Sequence, residues 1–293
     1  MAELVGSFKD EAAGERFAAL LDKAMASWPE RDDCEVTTTF GSTAVSITRE
    51  SGQGVPLVLL PGGASTIAGW AEPAEAWRAD RPVVAIDTVW DAGRSVQQAP
   101  VADGPDAAAW LEETLSGLGL DSIHLLGFSY GGWAALNQAV ERPGRLRSVT
   151  ALEPVVSLAG MPLAAWWQML RMLSGDPDRC RAYLAWVRRG RLPAAPMLDL
   201  LLSAQLDFVR RGTPRPRRIT PSQWRQIAVP LMVVLGEHSL LIPSRAAGIL
   251  RRRAPTAELH VLPGTGHTVT TDAPEATTGL VADFLVRHDG HDD

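Results

Sequence analysis

Three short stretches carry residue types that together could run acyl-transfer chemistry. The first is Gly127-Phe128-Ser129-Tyr130-Gly131, which follows an apolar run over residues 123–127 and opens a helical pattern over 131–140. A turn from strand to helix that tight needs small neighbours. It lifts the serine oxygen above a sheet, at the positive end of the following helix. Serine is a weak nucleophile until a base takes its proton, and histidine is the side chain matched to that task near neutral pH. The second stretch, Gly264-Thr265-Gly266-His267, supplies one on a loop after the strand-like run 259–262. The third, Leu60-Pro61-Gly62-Gly63-Ala64-Ser65, supplies backbone N–H groups. A developing oxyanion needs two such donors, expected from Tyr130, directly after the nucleophile, and from Gly63.

The other histidines fit the role less well. His124 and His260 fall within strands and are expected to be packed there, whereas His288 and His291 lie in the tail. His238 follows a strand and is a candidate for lining the pocket, together with its neighbour Ser239.

Positioning these loops requires a particular order of elements. Residues 8–27 have apolar positions at helical spacing up to Pro29. A hairpin is expected over 36–40 and 43–48, turning at Gly41-Ser42. The continuously apolar run 55–60 has the character of a strand buried on both faces. Strand-like stretches at 83–86, 123–127, 147–152, 231–235 and 259–262 alternate with helical ones at 107–118, 131–140, 244–253 and 274–287. That alternation predicts βαβ units and a mostly parallel central sheet flanked by helices, an α/β fold.

Residues 157–225 interrupt the series. They hold twelve Arg, four Asp and neither Lys nor Glu, a charge of +8 that leaves −14 for the rest of the chain. The segment is expected to be a helical cap inserted after the sixth strand. The core would then comprise 1–156 and 226–293. Trp166 and Trp167 are its candidate pocket residues, with ordinary helix packing as the alternative for the tryptophans. The positive charge favours an anionic substrate, or else it is a solvated surface facing the acidic core.

Composition removes other classes. The 293 residues are 46% hydrophobic and 21% charged, which supports a large core and excludes wholesale disorder. A net charge of −6 argues against a general nucleic-acid binder. The two cysteines form no CxxC, so no disulfide framework is expected. No apolar run is long enough to span a membrane, and the first residues lack a signal-peptide core. The expectation is a cytoplasmic protein acting on a small molecule with an apolar part. No metal or cofactor motif is present, so none is expected. Oligomeric state stays open.

Taken together, the sequence resembles the α/β-hydrolase superfamily of serine hydrolases. The residues that carry the resemblance are 59–63, Asp87 with Gly93-Arg94-Ser95, 127–132, Arg142-Pro143, Gly236-Glu237-His238 and 264–267. More narrowly, the N-terminal helix followed by Thr38-Thr39-Phe40-Gly41-Ser42-Thr43 is similar to bacterial carboxylesterases of the carboxylesterase NP group. The resemblance implies cleavage of a carboxylic ester or lactone through an acyl-enzyme, without a cofactor. The same fold also hosts lyases, acyl transferases, cyclases and ligand-binding proteins, which remain alternatives.

Two departures from the family pattern stand out. Pro61 replaces the usual histidine of the oxyanion loop, and Ser239 replaces the usual acid. A histidine base needs a carboxylate to fix its tautomer. Some branches of the superfamily place that acid at the preceding strand end, where Glu153 stands 24 residues after Ser129. Glu153 is therefore the expected third member of the triad, with Glu237 as its rival.

Overall fold

The computed structural model describes residues 4–49, 51–158 and 160–290. Residues 1–3, 50, 159 and 291–293, the last group including His291, lie outside the described residues.

The chain begins with a two-residue strand β1 (Ser7–Phe8) and helix α1 (Glu11–Met25). Asp10 caps α1 by accepting a hydrogen bond from the Ala13 N–H at 2.8 Å. The hairpin forms as β2 (Arg31–Thr38) and β3 (Gly41–Thr48), longer on its first arm than the sequence suggests. Then follow β4 (Leu57–Leu60), α2 (Ala71–Trp77), β5 (Val83–Ile86), β6 (Val96–Gln97), α3 (Gly104–Gly117), β7 (Ile123–Phe128), α4 (Tyr130–Glu141) and β8 (Leu146–Leu152). The second half of the sheet comprises β10 (Leu231–Gly236), α9 (Pro243–Arg253), β11 (Glu258–Leu262), α10 (Val269–Asp272) and α11 (Pro274–Arg287).

Among the described residues, nine strands form one sheet in the order β11-β10-β8-β7-β4-β5-β3-β2, with β6 on β3. Along that order the strands from β11 to β5 run parallel, and the hairpin joins antiparallel through β3. The apolar runs explain the layering. Leu57 to Leu60 in β4 and Val83 to Ile86 in β5 are fully buried, because helices cover both faces of the sheet. Phe17 and Leu21 of α1 pack on one face, whereas Trp110 and Leu111 of α3 pack on the other.

Residues 157–225 contribute α5 (Leu163–Met172), α6 (Pro177–Val187), α7 (Met197–Leu206), β9 (Phe208–Val209) and most of α8 (Pro221–Gln226), and, among the described residues, no strand of the large sheet. The segment is not wholly helical, since β9 pairs antiparallel with β1. In addition, α7 packs on α1, with Leu200 and Ala204 in the same apolar cluster as Phe17 and Leu21. The N-terminal helix thus bridges the sheet and the insertion. Sequence periodicity could not show this, because it says which face of a helix is apolar and not which partner covers it. No helix of the described residues is long and apolar enough to cross a membrane.

His124 is packed as its strand position suggests. It is fully buried in β7, with Nδ1 2.7 Å from the Ser148 hydroxyl and Nε2 3.1 Å from Asp289. Burial pushes its pKa down to about 4 from an ordinary 6.5. The folded protein therefore keeps His124 neutral over a range where the unfolded chain takes up a proton. Stability contributed by this group is present above about pH 6.5 and is lost as pH falls toward about 4. Thermal melts at pH 7.5, 6 and 5 should show the wild type losing more melting temperature than His124→Asn over that interval. Equal losses in the two proteins would refute the assignment.

Candidate active site

Ser129 stands between β7 and α4 in a conformation that only a tight elbow requires, with φ 53° and ψ −109°. The two flanking glycines are there for space. A Cβ on Gly127 would lie 2.0 Å from the Gly131 carbonyl oxygen, and one on Gly131 would lie 2.3 Å from that of Leu60. The Ser129 N–H donates to the Leu152 carbonyl at 2.9 Å, tying the elbow to the end of β8.

Glu153 is the next residue after that strand end. It is fully buried and also holds a positive φ of 50°, which turns its side chain from the strand line. A non-glycine residue accepts that conformation at some cost, and here it aims a carboxylate across β10. One carboxylate oxygen accepts the Gly236 N–H at 2.6 Å, and the other accepts the Ser239 hydroxyl at 2.6 Å. The second oxygen also lies 2.9 Å from His267 Nδ1. With a carboxylate on that side, Nδ1 carries the proton and donates, and Nε2 is left as the acceptor. Nε2 sits 3.0 Å from the Ser129 oxygen. Thus Ser129, His267 and Glu153, drawn from three loops at the carboxyl ends of β7, β11 and β8, form one continuous hydrogen-bonded chain.

Glu237, the rival acid, is elsewhere. It is half exposed, and its carboxylate accepts the Gly264 N–H at 2.9 Å, away from His267. Ser239 stands where the family pattern places an acid, but it serves the displaced carboxylate instead. Its hydroxyl donates to Glu153 and accepts the Leu241 N–H at 2.9 Å. It is therefore part of the acid's support, not the pocket residue expected from its loop.

Two further buried carboxylates hold the loop after β4. Asp87 accepts the Ile67 N–H at 2.8 Å and the Arg94 N–H at 2.9 Å, and burial raises its pKa to about 6. Asp91 accepts the Ala64 N–H at 2.9 Å and pairs with Arg210 at 2.7 Å. They fix residues 61–70 over the elbow. A Cβ on Gly62 would lie 3.3 Å from that of Ser129, and one on Gly63 would lie 3.9 Å from that of Tyr130. Tyr130 opens α4, so its N–H has no carbonyl one turn back to bond. Its phenol donates to the Pro214 carbonyl, which pins the inserted segment beside the elbow.

A cavity of about 770 Å³ adjoins the triad, bordered by Pro61, Gly62 and Phe128 on the core side and by Thr268 next to His267. Its apolar walls include Trp28, Trp70, Met197 and Leu201, so the turn after α1, the segment after β4 and α7 build it together. The expected pocket residues are not among them. Trp166 and Trp167 lie on α5 and are 45% and 64% exposed, on a face shared with Leu163, Leu170 and Leu173. The helical spacing that groups them turns that whole face outward. His238 is also half exposed and does not reach the cavity. Residues that do line it, such as Trp28 and Arg188, carry no sequence signal that separates them from other tryptophans and arginines.

The strand order, with helices on both faces of the sheet, defines an α/β-hydrolase architecture, and residues 57–279 match the model of the alpha/beta hydrolase family, to which the chain belongs. Its relatives include carboxylesterase YbfK of Bacillus subtilis (strain 168), 25% identical over 284 residues that cover 93% of this chain and 94% of the relative. Among solved structures it is similar to naproxen esterase (carboxylesterase NP) from Bacillus subtilis. That match has a TM-score of 0.87 and 22% identity, and covers 94% of this chain and 99% of the other. Carboxylesterase CesB (YbfK) from Bacillus subtilis gives 0.86 at 24% identity, covering 94% and 98%.

Proposed function

We propose that the protein hydrolyses carboxylic esters, or the closely related lactones, by an acyl-enzyme route with Ser129 as nucleophile, His267 as base and Glu153 as the orienting acid. The observation that carries this reading is the chain of contacts from Ser129 through His267 to Glu153, at 3.0 and 2.9 Å. The carboxylesterase names of the Bacillus relatives support the substrate class.

In the proposed sequence, Ser129 Oγ attacks the ester carbonyl carbon as His267 Nε2 takes its proton. The N–H groups of Tyr130 and Gly63 receive the developing oxyanion. The imidazolium is stabilised by the Glu153 carboxylate, then returns its proton to the departing alcohol. A water molecule, deprotonated by the same Nε2, attacks the acyl-serine. The carboxylic acid leaves and Ser129 recovers its proton. Residues 157–225 act as a cap, and α7 of that cap supplies the apolar wall against which the ester's hydrocarbon part rests. We further place this activity in the cytoplasm.

A fluorophosphonate probe tests the central step, since it reacts only with an activated serine. Stoichiometric labelling that vanishes in Ser129→Ala is expected. Absence of labelling in the wild type would overturn the serine mechanism. Product analysis on a panel of esters and lactones then separates hydrolysis from acyl transfer or elimination.

A further inference from the structure

Among the described residues, one cationic side chain in the cavity has no partner. Arg188 follows the last residue of α6 and lines the cavity beside the triad. Its Nε is shielded from solvent and meets no acceptor. Within the same described residues its guanidinium makes neither a hydrogen bond nor a close ion pair. The carboxylate that faces it, Asp272, is already engaged, accepting the Gly266 N–H at 2.7 Å and the Thr268 hydroxyl at 3.4 Å. Burial pulls the pKa of Arg188 below its usual value, and the nearby Asp272 carboxylate offsets that only in part.

An unpaired buried donor on a charged group is costly, and native structures keep few of them. Other arginines of the chain show what the usual solution looks like. Arg145 pairs with Glu112 and Asp121, Arg81 with Asp289, and Arg210 with Asp91. Arg188 is different because of where its backbone is held. The Val187 carbonyl accepts the His267 N–H at 3.2 Å, so the end of α6 is fastened to the loop that carries the base. Arg189 turns the chain there with a φ of 53°. The backbone that carries Arg188 is thereby held beside the His267 loop, and its side chain lines the cavity. The acidic residues of the cavity are Glu72 and Glu75 on α2; both are exposed, and Glu75 is engaged by Arg78 at 2.7 Å. Neither pairs with Arg188.

We infer that Arg188 is a binding site for an anionic oxygen of the substrate, and that the preferred substrates are esters bearing a carboxylate remote from the scissile bond. The inference rests on the esterase reading above and narrows it. Such an ester lays its hydrocarbon spacer along Trp28, Met197 and Leu201, and its carboxylate supplies the acceptor that Arg188 lacks. Arg188 does not take part in bond making. It holds one end of the ester so that the carbonyl comes to rest at Ser129.

Two matched pairs of esters test this. Monoethyl adipate is compared with ethyl hexanoate, and the butanoate ester of 4-hydroxybutanoate with butyl butanoate. The first member of each pair carries a carboxylate where the second has a methyl group, on the acyl side in one pair and on the alcohol side in the other. A charged hydrogen-bonded contact predicts that Arg188→Gln lowers the anionic-over-neutral ratio of kcat/KM by about 10- to 100-fold in at least one pair, mostly through KM. Arg188→Lys should recover part of the ratio. An equal loss on both members of both pairs would mean that Arg188 only props the His267 loop, and the inference falls. A binding arm keeps the result separate from catalysis. Calorimetric titration of each anionic ester into Ser129→Ala should, for at least one of the two, give at least a tenfold smaller dissociation constant than titration into Ser129→Ala with Arg188→Gln. Equal affinities for both esters, or no binding of either, overturn the anionic site. If the wild type escapes fluorophosphonate labelling and hydrolyses no ester while this affinity difference persists, the hydrolase reading fails and the anionic site stands.

Discussion

Ser129→Ala and His267→Ala are each expected to lower kcat by about a millionfold, and the double variant by little more. The reason is that the two side chains act as one unit. Without Nε2 3.0 Å away, the Ser129 hydroxyl keeps its proton and is a poor nucleophile. Without the hydroxyl, the base has nothing to activate except water. The residual rate would come from the N–H groups of the oxyanion loop and from substrate binding alone. Initial rates on a good ester substrate, normalised to the concentration of folded protein, measure the effect. The elbow should survive, because Ser129→Ala keeps the backbone N–H that bonds Leu152 and loses only the side-chain oxygen. Melting temperatures within a few degrees of wild type would establish that. Additive losses in the double variant would show that serine and histidine work independently, and near-normal turnover by Ser129→Ala would exclude the mechanism.

The second large effect is expected at Glu153. Glu153→Gln should lower kcat by about ten thousandfold, as seen where a triad acid is made neutral without change of shape. Three donors point at this carboxylate: the Gly236 N–H, the Ser239 hydroxyl and His267 Nδ1–H. A carboxylate accepts all three, whereas an amide has one accepting oxygen. The Gly236 N–H belongs to a strand and cannot turn away, so it claims that oxygen. The amide NH₂ then faces Ser239 and His267. The hydroxyl can rotate, but the imidazole must move its proton to Nε2, which removes the acceptor that Ser129 needs. Ser239→Ala withdraws one donor and leaves the charge and tautomer in place, so it should cost far less. Glu237→Gln should be close to wild type, since that carboxylate bonds Gly264 and not the histidine. Comparable losses at Glu237 and Glu153 would reject the assignment.

The elbow serine and the loop histidine were legible because each is announced by local chemistry. Gly127 is required by backbone contacts within a few residues of Ser129, and a tight turn leaves that mark in any sequence that makes it, whereas Gly131 is required by the close approach of Leu60 and Pro61. The sheet was legible for a similar reason. A strand covered on both faces must be apolar throughout, as Leu57 to Leu60 are, and such runs need no knowledge of their partners.

The acid was legible only as a choice between two glutamates. Glu153 and Glu237 both follow apolar strands, and nothing near either one states which turns toward a histidine 114 or 30 residues later. The positive φ of Glu153 and the N–H of Gly236 on the neighbouring strand settle the geometry, and both are products of the assembled sheet. The same holds for the cavity. Helical spacing groups Trp166 and Trp167 on one face of α5, but only the packing of the inserted segment turns that face to solvent and leaves Trp28 and Arg188 on the inside.

Sequence by itself therefore determined the elements, the elbow serine and the loop histidine, because short-range sterics and hydrophobic periodicity are written in neighbouring residues. Tertiary structure decided the acid that meets the histidine, the pairing of β1 with β9, and the arginine that faces the cavity. Each of these joins residues distant in the chain, and such contacts depend on which surfaces the fold brings together.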